Sequence, residues 1–285
     1  MRGSETPSAS PSVGSTFGPF RLDQLLGEGG SGVVFKATFL PDGSVCALKV
    51  LKTRVADDPV VLKRFEHEVR VATHVRHERL VPLLASGMFD GVPYLTQRLL
   101  PGPTLRQLID ANGRLSLPEI CALVTDIASA LGALHARDLV HRDVKPSNII
   151  YDEEGQALLT DFGLSRGAAY TVLTAPGRVL GTLDYMAPEV IRGEPAGPAS
   201  DIYALGCVVF EAARGEPPFA RRSVFQVGLA HLEEEPADPL EGRGDAPAYL
   251  ASAIRSALAK DPAGRPASAS AYAGLIGVAA AETEG

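Results

Sequence analysis

The chain is expected to be an α+β protein of two lobes, the first built on β-strands and the second mainly helical. Three observations lead there. Residues 22–26, 33–39 and 45–51 are short runs rich in β-forming side chains, separated by turn-forming residues. Ile120, Leu123, Val124, Ile127, Leu131 and Leu134 recur on one helical face, and residues 202–213 are apolar nearly all round, as a central buried helix is. The strand-rich third comes first and the helical remainder follows, which implies two lobes joined near residues 97–102.

Length and composition suit this. The 285 residues can bury a sizeable core, and 45% hydrophobic with 21% charged residues describes an ordinary globular chain. A formal net charge of −7 excludes an overall basic footprint for nucleic acid. Cys46, Cys121 and Cys207 stand apart in apolar surroundings without metal-type spacing, and read as buried small hydrophobes. No run approaches the roughly 18 uninterrupted apolar residues of a membrane span, and the N-terminus lacks a signal-peptide core. A cytoplasmic protein without a membrane span is expected.

Taken in order, residues 1–16 are rich in Ser, Pro, Gly and Thr and read as a disordered tail. Residues 17–97 form the first lobe, an antiparallel meander. In its strand over 45–51, Val45, Ala47 and Lys49 share one face by alternation. Asp58-Pro59 then opens a helix, with Asp as N-cap and Pro in the first turn. Its stripe of Val61, Phe65, Ala72 and Val75 has one gap, filled by Glu68. A carboxylate on a buried stripe is costly unless paired, and Lys49 is the evident partner. Residues 98–102 read as a hinge, 103–281 as the second lobe and 282–285 as the C-terminal end. Ser116-Leu117-Pro118-Glu119 has capping-box spacing before the long helix that ends near His135. Helices are also expected over 248–260 and 267–280.

The chemistry concentrates in one stretch. Between the apolar runs 149–151 and 157–160, Asp152-Glu153-Glu154-Gly155 reads as a hairpin turn, which brings Asn148 and Asp161 to one end of the hairpin. A carboxylate beside a side-chain amide suits a hard cation such as Mg²⁺. Asp143 and Lys145 on the preceding loop supply a proton acceptor and a cation. That set is what phosphoryl transfer needs. Upstream, Gly27-Glu28-Gly29-Gly30-Ser31-Gly32-Val33-Val34 puts glycines between two strands, where backbone amides can approach phosphates without a Cβ in the way. A plain glycine hairpin is the alternative. A dinucleotide loop would need a helix next, and Val33-Val34-Phe35 continues as strand.

Together these residues resemble the eukaryotic-type (Hanks-type) serine/threonine protein kinases, in their bacterial branch. The resemblance rests on G-x-G-x-x-G-x-V at 27–34, Val45-Cys46-Ala47-Leu48-Lys49 (similar to the V-A-I-K strand), H-R-D-x-x-x-x-N at 141–148, Asp161-Phe162-Gly163, and Ala187-Pro188-Glu189. It spans about residues 18–280 and implies the bilobal protein kinase fold, with a β-rich N-lobe and a mainly helical C-lobe.

What the resemblance implies for residues is specific. Gly27, Gly29 and Gly32 would cover the phosphates of ATP, Lys49 would meet the α- and β-phosphates, and Glu68 would hold Lys49. Val34 and Ala47 would pack on the adenine, Gln97 would line the back of its pocket, and the backbones of Arg98 and Leu100 would meet its edge. Asp143 would accept or orient the substrate hydroxyl proton, and Lys145 marks the serine/threonine pattern. Asn148 and Asp161 would hold Mg²⁺, or Mn²⁺ in its place. Arg142 and Thr182 would support the loop, Thr182 by touching Asp143 and Lys145. Asp201 would hydrogen-bond the catalytic-loop backbone, and Arg265 would pair with Glu189. Autophosphorylation is expected at Thr174, with Thr171 second, through a transient homodimer. The implied activity is transfer of the ATP γ-phosphoryl group to Ser or Thr of protein substrates. A pseudokinase scaffold would lack one of Lys49, Asp143 or Asp161, and none is missing. A small-molecule phosphotransferase would lack Lys145 and the full segment ending at Glu189. The physiological substrate, the upstream signal, and whether the chain is a whole protein or the kinase domain of a larger receptor stay open at this point.

Overall fold

The computed structural model describes residues 11–29, 32–51, 69, 73, 75–161, 183–220, 222–244 and 248–281. The chain divides into two compact units, Met1–His67 with Pro82–Leu99 and Glu68–Val81 with Leu100–Gly285.

The first unit is an antiparallel sheet. Its strands are β1 (Thr16–Phe17), β2 (Phe20–Glu28), β3 (Gly32–Phe39), β4 (Val45–Leu51), β5 (Leu83–Phe89) and β6 (Val92–Gln97), in the order β1-β2-β3-β4-β6-β5. Alternation sorts the side chains. Leu22, Phe35, Ala37, Cys46, Leu48 and Val50 join Phe17 and Phe20 in the core. Tyr94 closes it with edge-to-face contacts to Phe17 and Phe20, at ring separations of 5.9 and 5.3 Å. The last residues of the expected tail belong to this sheet, because Gly14 N–H donates to Leu22 O at 2.8 Å and Leu22 N–H to Ser15 O at 2.9 Å. The helix expected to open at Asp58 lies mostly outside the described residues, and Glu68 with it.

The second unit holds α1 (Leu105–Asn112), α2 (Leu117–His135), the hairpin β7 (Ile149–Tyr151) and β8 (Ala157–Leu159), α3 (Pro188–Ile191), α4 (Pro198–Arg214), α5 (Val224–Glu233), α6 (Ala248–Ala257) and α7 (Ala269–Ala281). At the start of α2, the Glu119 carboxylate accepts from both the backbone N–H and the hydroxyl of Ser116 at 2.7 Å, a cap of about 0.5–2 kcal/mol. By length and composition α2 is apolar enough to cross a membrane. Yet Ile120, Leu123, Val124, Ile127, Leu131 and Leu134 are buried, and α2 packs on α4, α7 and β8. Asp126 interrupts its apolar run and accepts from Ala157 N–H and from Arg79, both at 2.9 Å. It is a core helix here. Two helices, α1 and α5, are not among those that periodicity singles out. Both start at the same type of cap, Thr104 with Gln107 and Ser223 with Gln226.

Candidate active site

In the first unit the sheet register gathers the residues assigned to the nucleotide. Lys49 on β4 stands opposite Val34 on β3 and Leu95 on β6, and Ala47 stands opposite Gln97 on β6. Directly opposed residues share a face, so Val34, Ala47, Lys49 and Gln97 occupy one face and the Phe35–Leu48–Val50 core the other. Lys49 is only 6% exposed. Arg98 follows β6 with an exposed side chain, its N–H donating to Pro82 O at 3.3 Å, and Leu100 is half-buried.

The three glycines differ in what they answer to. A Cβ on Gly32 would run into the carbonyl oxygen of Val50, so packing alone demands glycine there. A Cβ on Gly27 or Gly29 would meet nothing within 4 Å, and neither has a left-handed backbone. Nothing in the packing of the described residues excludes a side chain at these two positions, whereas a ligand approaching the backbone would. Gly29 N–H bonds Gly32 O at 2.9 Å and shapes the turn.

In the second unit the loop between α2 and β7 brings Asp143, Lys145 and Asn148 together. Lys145 Nζ donates to both Asp143 carboxylate oxygens at 2.8 Å. Asn148 Nδ2 donates to the carbonyl of Asp143 at 2.8 Å and to its Oδ2 at 3.0 Å. Pro146–Asn148 form a 3-10 turn. The Thr160 N–H donates to Asn148 O at 2.9 Å, so the β7–β8 hairpin sets Asp161 two residues beyond the end of β8, next to the residue that pairs with Asn148. Arg142 and Asp161 are both left-handed, with φ of 68° and 64°. For non-glycine residues this costs about 1–3 kcal/mol each and persists only where surroundings enforce it.

Those surroundings are visible. Asp201, in the first turn of α4 and 1% exposed, accepts from the backbone N–H groups of His141 and Arg142 and from His135 Nε2, all at 2.8 Å. Burial holds the His141 imidazole below its ordinary pKa. The neutral ring donates from Nε2 to Thr160 O at 2.9 Å and accepts from Asp143 N–H on Nδ1 at 3.2 Å. One ring thus ties the catalytic-loop backbone to the residue before Asp161. No local sequence pattern singles out His141 or His135 for this role, because Asp201 lies 60 and 66 positions away from them. Elsewhere in this unit Arg265 forks onto Glu189 with two 2.8 Å bonds, and Ser200 Oγ–H donates to Glu189 at 2.6 Å. Burial alone would raise Glu189, but these donors outweigh it and hold the carboxyl below the usual range. Thr171, Thr174 and Thr182 lie outside the described residues, as do Phe162 and Gly163.

The donor set can be tested for a cation. Asn148 uses its amide nitrogen on Asp143, which leaves the amide oxygen as the group offered outward, and Asp161 adds a carboxylate. Hard-oxygen donors of this kind fit Mg²⁺, which is commonly held by one or two side chains together with substrate phosphates. No cluster of three or more His, Cys, Asp or Glu suited to a metal occurs among the described residues.

Known proteins resemble this chain in sequence and fold. Residues 20–273 match the protein kinase domain family. The chain is 38% identical over 258 residues to serine/threonine-protein kinase PknD of Mycobacterium tuberculosis, covering 90% of this chain and 39% of PknD. It is 37% identical over 257 residues to PknH of the same organism, covering 90% and 41%. The crystal structure of the M. tuberculosis PknI kinase domain superposes with a TM-score of 0.73 at 28% identity, over 94% of this chain and 99% of that one. The chain therefore spans about two fifths of the length of these curated relatives. A strand-rich unit followed by a helical one, the loop around Asp143, and a family match over nearly the whole described fold lead to one conclusion: the chain belongs to the protein kinase domain family, among the bacterial Hanks-type serine/threonine kinases.

Proposed function

We propose that the chain transfers the γ-phosphoryl group of ATP to serine or threonine hydroxyls of protein substrates, with a divalent cation, Mg²⁺ or Mn²⁺. The observation that carries this is the Asp143–Lys145–Asn148 cluster, a carboxylate flanked by an ammonium at 2.8 Å and an amide at 3.0 Å. Asp143 accepts the proton as the substrate oxygen bonds to the γ-phosphorus and the bond to the β–γ bridging oxygen breaks. Lys145 holds Asp143 in place and offers positive charge to the transferring group. Asn148 and Asp161 would hold the cation, which when bound screens the phosphate charge. In the first unit Gly27, Gly29 and Gly32 would face the phosphates, Lys49 would meet the α- and β-phosphates, and Val34, Ala47, Gln97 and Arg98 would meet the adenine; Glu68 and Leu100 belong to the second unit and keep the roles the resemblance gives them. In the second, Arg142, Thr182, Asp201 and the Glu189–Arg265 pair keep the loop in shape.

Regulation by autophosphorylation at Thr174, or at Thr171, in a transient homodimer belongs to the same reading, as does a cytoplasmic site of action. Radiolabelled ATP, a generic basic protein and a panel of small-molecule acceptors test it together, with Asp143→Asn as control. Label on Ser or Thr of protein, lost in the variant, is expected. Label on small molecules alone, or equal label with Asp143→Asn, overturns the reading.

A further inference from the structure

Beside the catalytic loop the second unit carries a cavity of about 270 Å³ whose lining includes Arg106, Lys145, Asp184, Tyr185, Glu211 and Pro217. Lys145 is the lysine bonded to Asp143, so the cavity opens next to the point where an acceptor hydroxyl must arrive. A polypeptide bound there runs past it at roughly 3.3 Å per residue, with successive side chains turned to opposite sides.

The floor of this cavity is a carboxylate. Glu211, on α4, is 1% exposed. It accepts from the Tyr185 hydroxyl at 2.5 Å and from Arg106 Nη2, which also donates to Tyr185 Oη at 3.0 Å. Arg106 comes from the first turn of α1, steadied by Asp110 at 3.2 Å. The Arg106 side chain is one third exposed while the Glu211 side chain beneath it is sealed, so the arginine sits over Glu211 like a stopper. Burial works against the Arg106 charge, but the bond to Glu211, together with the charges of Tyr185 and Glu211 and the bond to Asp110, outweighs it, and the guanidinium holds its proton more tightly than free arginine. Asp184 is a second, half-buried carboxylate in the same lining, pushed up by burial and favoured by Arg106.

We propose that Arg106 is a specificity-determining residue: its guanidinium fills, from within the chain, a carboxylate-floored subsite beside Lys145 and so denies that subsite to an arginine or lysine of the substrate polypeptide. Taken away, it leaves a guanidinium-sized space with a carboxylate and a tyrosine hydroxyl already aimed into it. Such a space accepts a planar fork of donors from another molecule. The use of the subsite by a substrate rests on the protein-kinase reading above; its occupancy does not.

Two measurements test this. In thermal unfolding, Arg106→Ala is expected to melt below the parent and to recover in ethylguanidinium, while Arg106→Ala/Glu211→Gln does not recover. In peptide phosphorylation, the parent is expected to treat Arg and Ala alike at the positions flanking the acceptor. Arg106→Ala is expected to gain roughly a tenfold preference for Arg at one of them. Arg106→Gln keeps a donor to Glu211 and carries the same test where the alanine variant does not fold. No recovery in ethylguanidinium, or an unchanged peptide preference in a folded variant, overturns the proposal. A chain that labels no peptide at all would sink the kinase reading instead, and the ethylguanidinium result would still decide what Arg106 occupies.

Discussion

The side-chain nitrogen of Asn148 is engaged by Asp143 twice, at its carbonyl (2.8 Å) and at its carboxylate (3.0 Å). In the proposed mechanism Asn148 would act by two routes, orienting the proton acceptor and presenting an oxygen to a cation. Asn148→Ala is expected to lower kcat/KM by about 10–100-fold and to raise the Mg²⁺ concentration needed for half-maximal rate. A magnesium titration of initial rates checks both. Loss of rate with an unchanged titration midpoint would leave Asn148 with only the first role.

The glycines separate packing from ligand approach. Gly32→Ala forces a Cβ against the Val50 carbonyl and is expected to cost about 1–3 kcal/mol of stability in urea unfolding. Gly27→Ala and Gly29→Ala have open space. They are expected to leave stability within about 1 kcal/mol of the parent while raising KM for ATP several-fold.

Arg265→Met strands the Glu189 carboxylate, whose bidentate partner it removes. Breaking one side of a buried pair is expected to cost about 3–5 kcal/mol. The pH dependence carries a sign. Glu189 is held below its ordinary value of 4.5, so its contribution is present above pH 4.5 and fades as pH falls below that. Arg265→Met should therefore lose its disadvantage in strongly acidic solution, measurable as converging urea midpoints.

Two buried histidines set an acid limit from higher pH. Burial lowers His141, and burial followed by the nearby Lys260 brings His231 down to about 3 from 6.5. Below pH 6.5 the unfolded chain takes up protons that these rings refuse, so stability falls as pH drops from 6.5 toward 3. His231 accepts from the Tyr203 hydroxyl on Nδ1 at 2.8 Å. His231→Asn is expected to remove up to about 1.4 kcal/mol per pH unit of that slope. Burial raises Asp184 and Glu211, which act in the opposite sense but equally in both proteins, so the difference isolates the histidine. Parallel pH profiles for parent and variant would contradict this.

Much of the fold is written in short-range patterns. The strand over 45–51, the capping box at Ser116 and the turn at Asp152-Glu153-Glu154-Gly155 each depend on residues a few positions apart, where alternation, caps and turn chemistry act. The helices α1 and α5 carried the same cap signature but only a short apolar face, and periodicity passed over them.

From residue order alone came the identity and spacing of Asp143, Lys145, Asn148 and Asp161, and the face shared by Ala47 and Lys49, because these depend on local geometry that any chain of this sequence must obey. Only packing could bring Asp201 against His141 across 60 positions, or Arg106 against Glu211 across 105. A buried charge accepts whatever partner the fold carries to it, and no local pattern says which that will be.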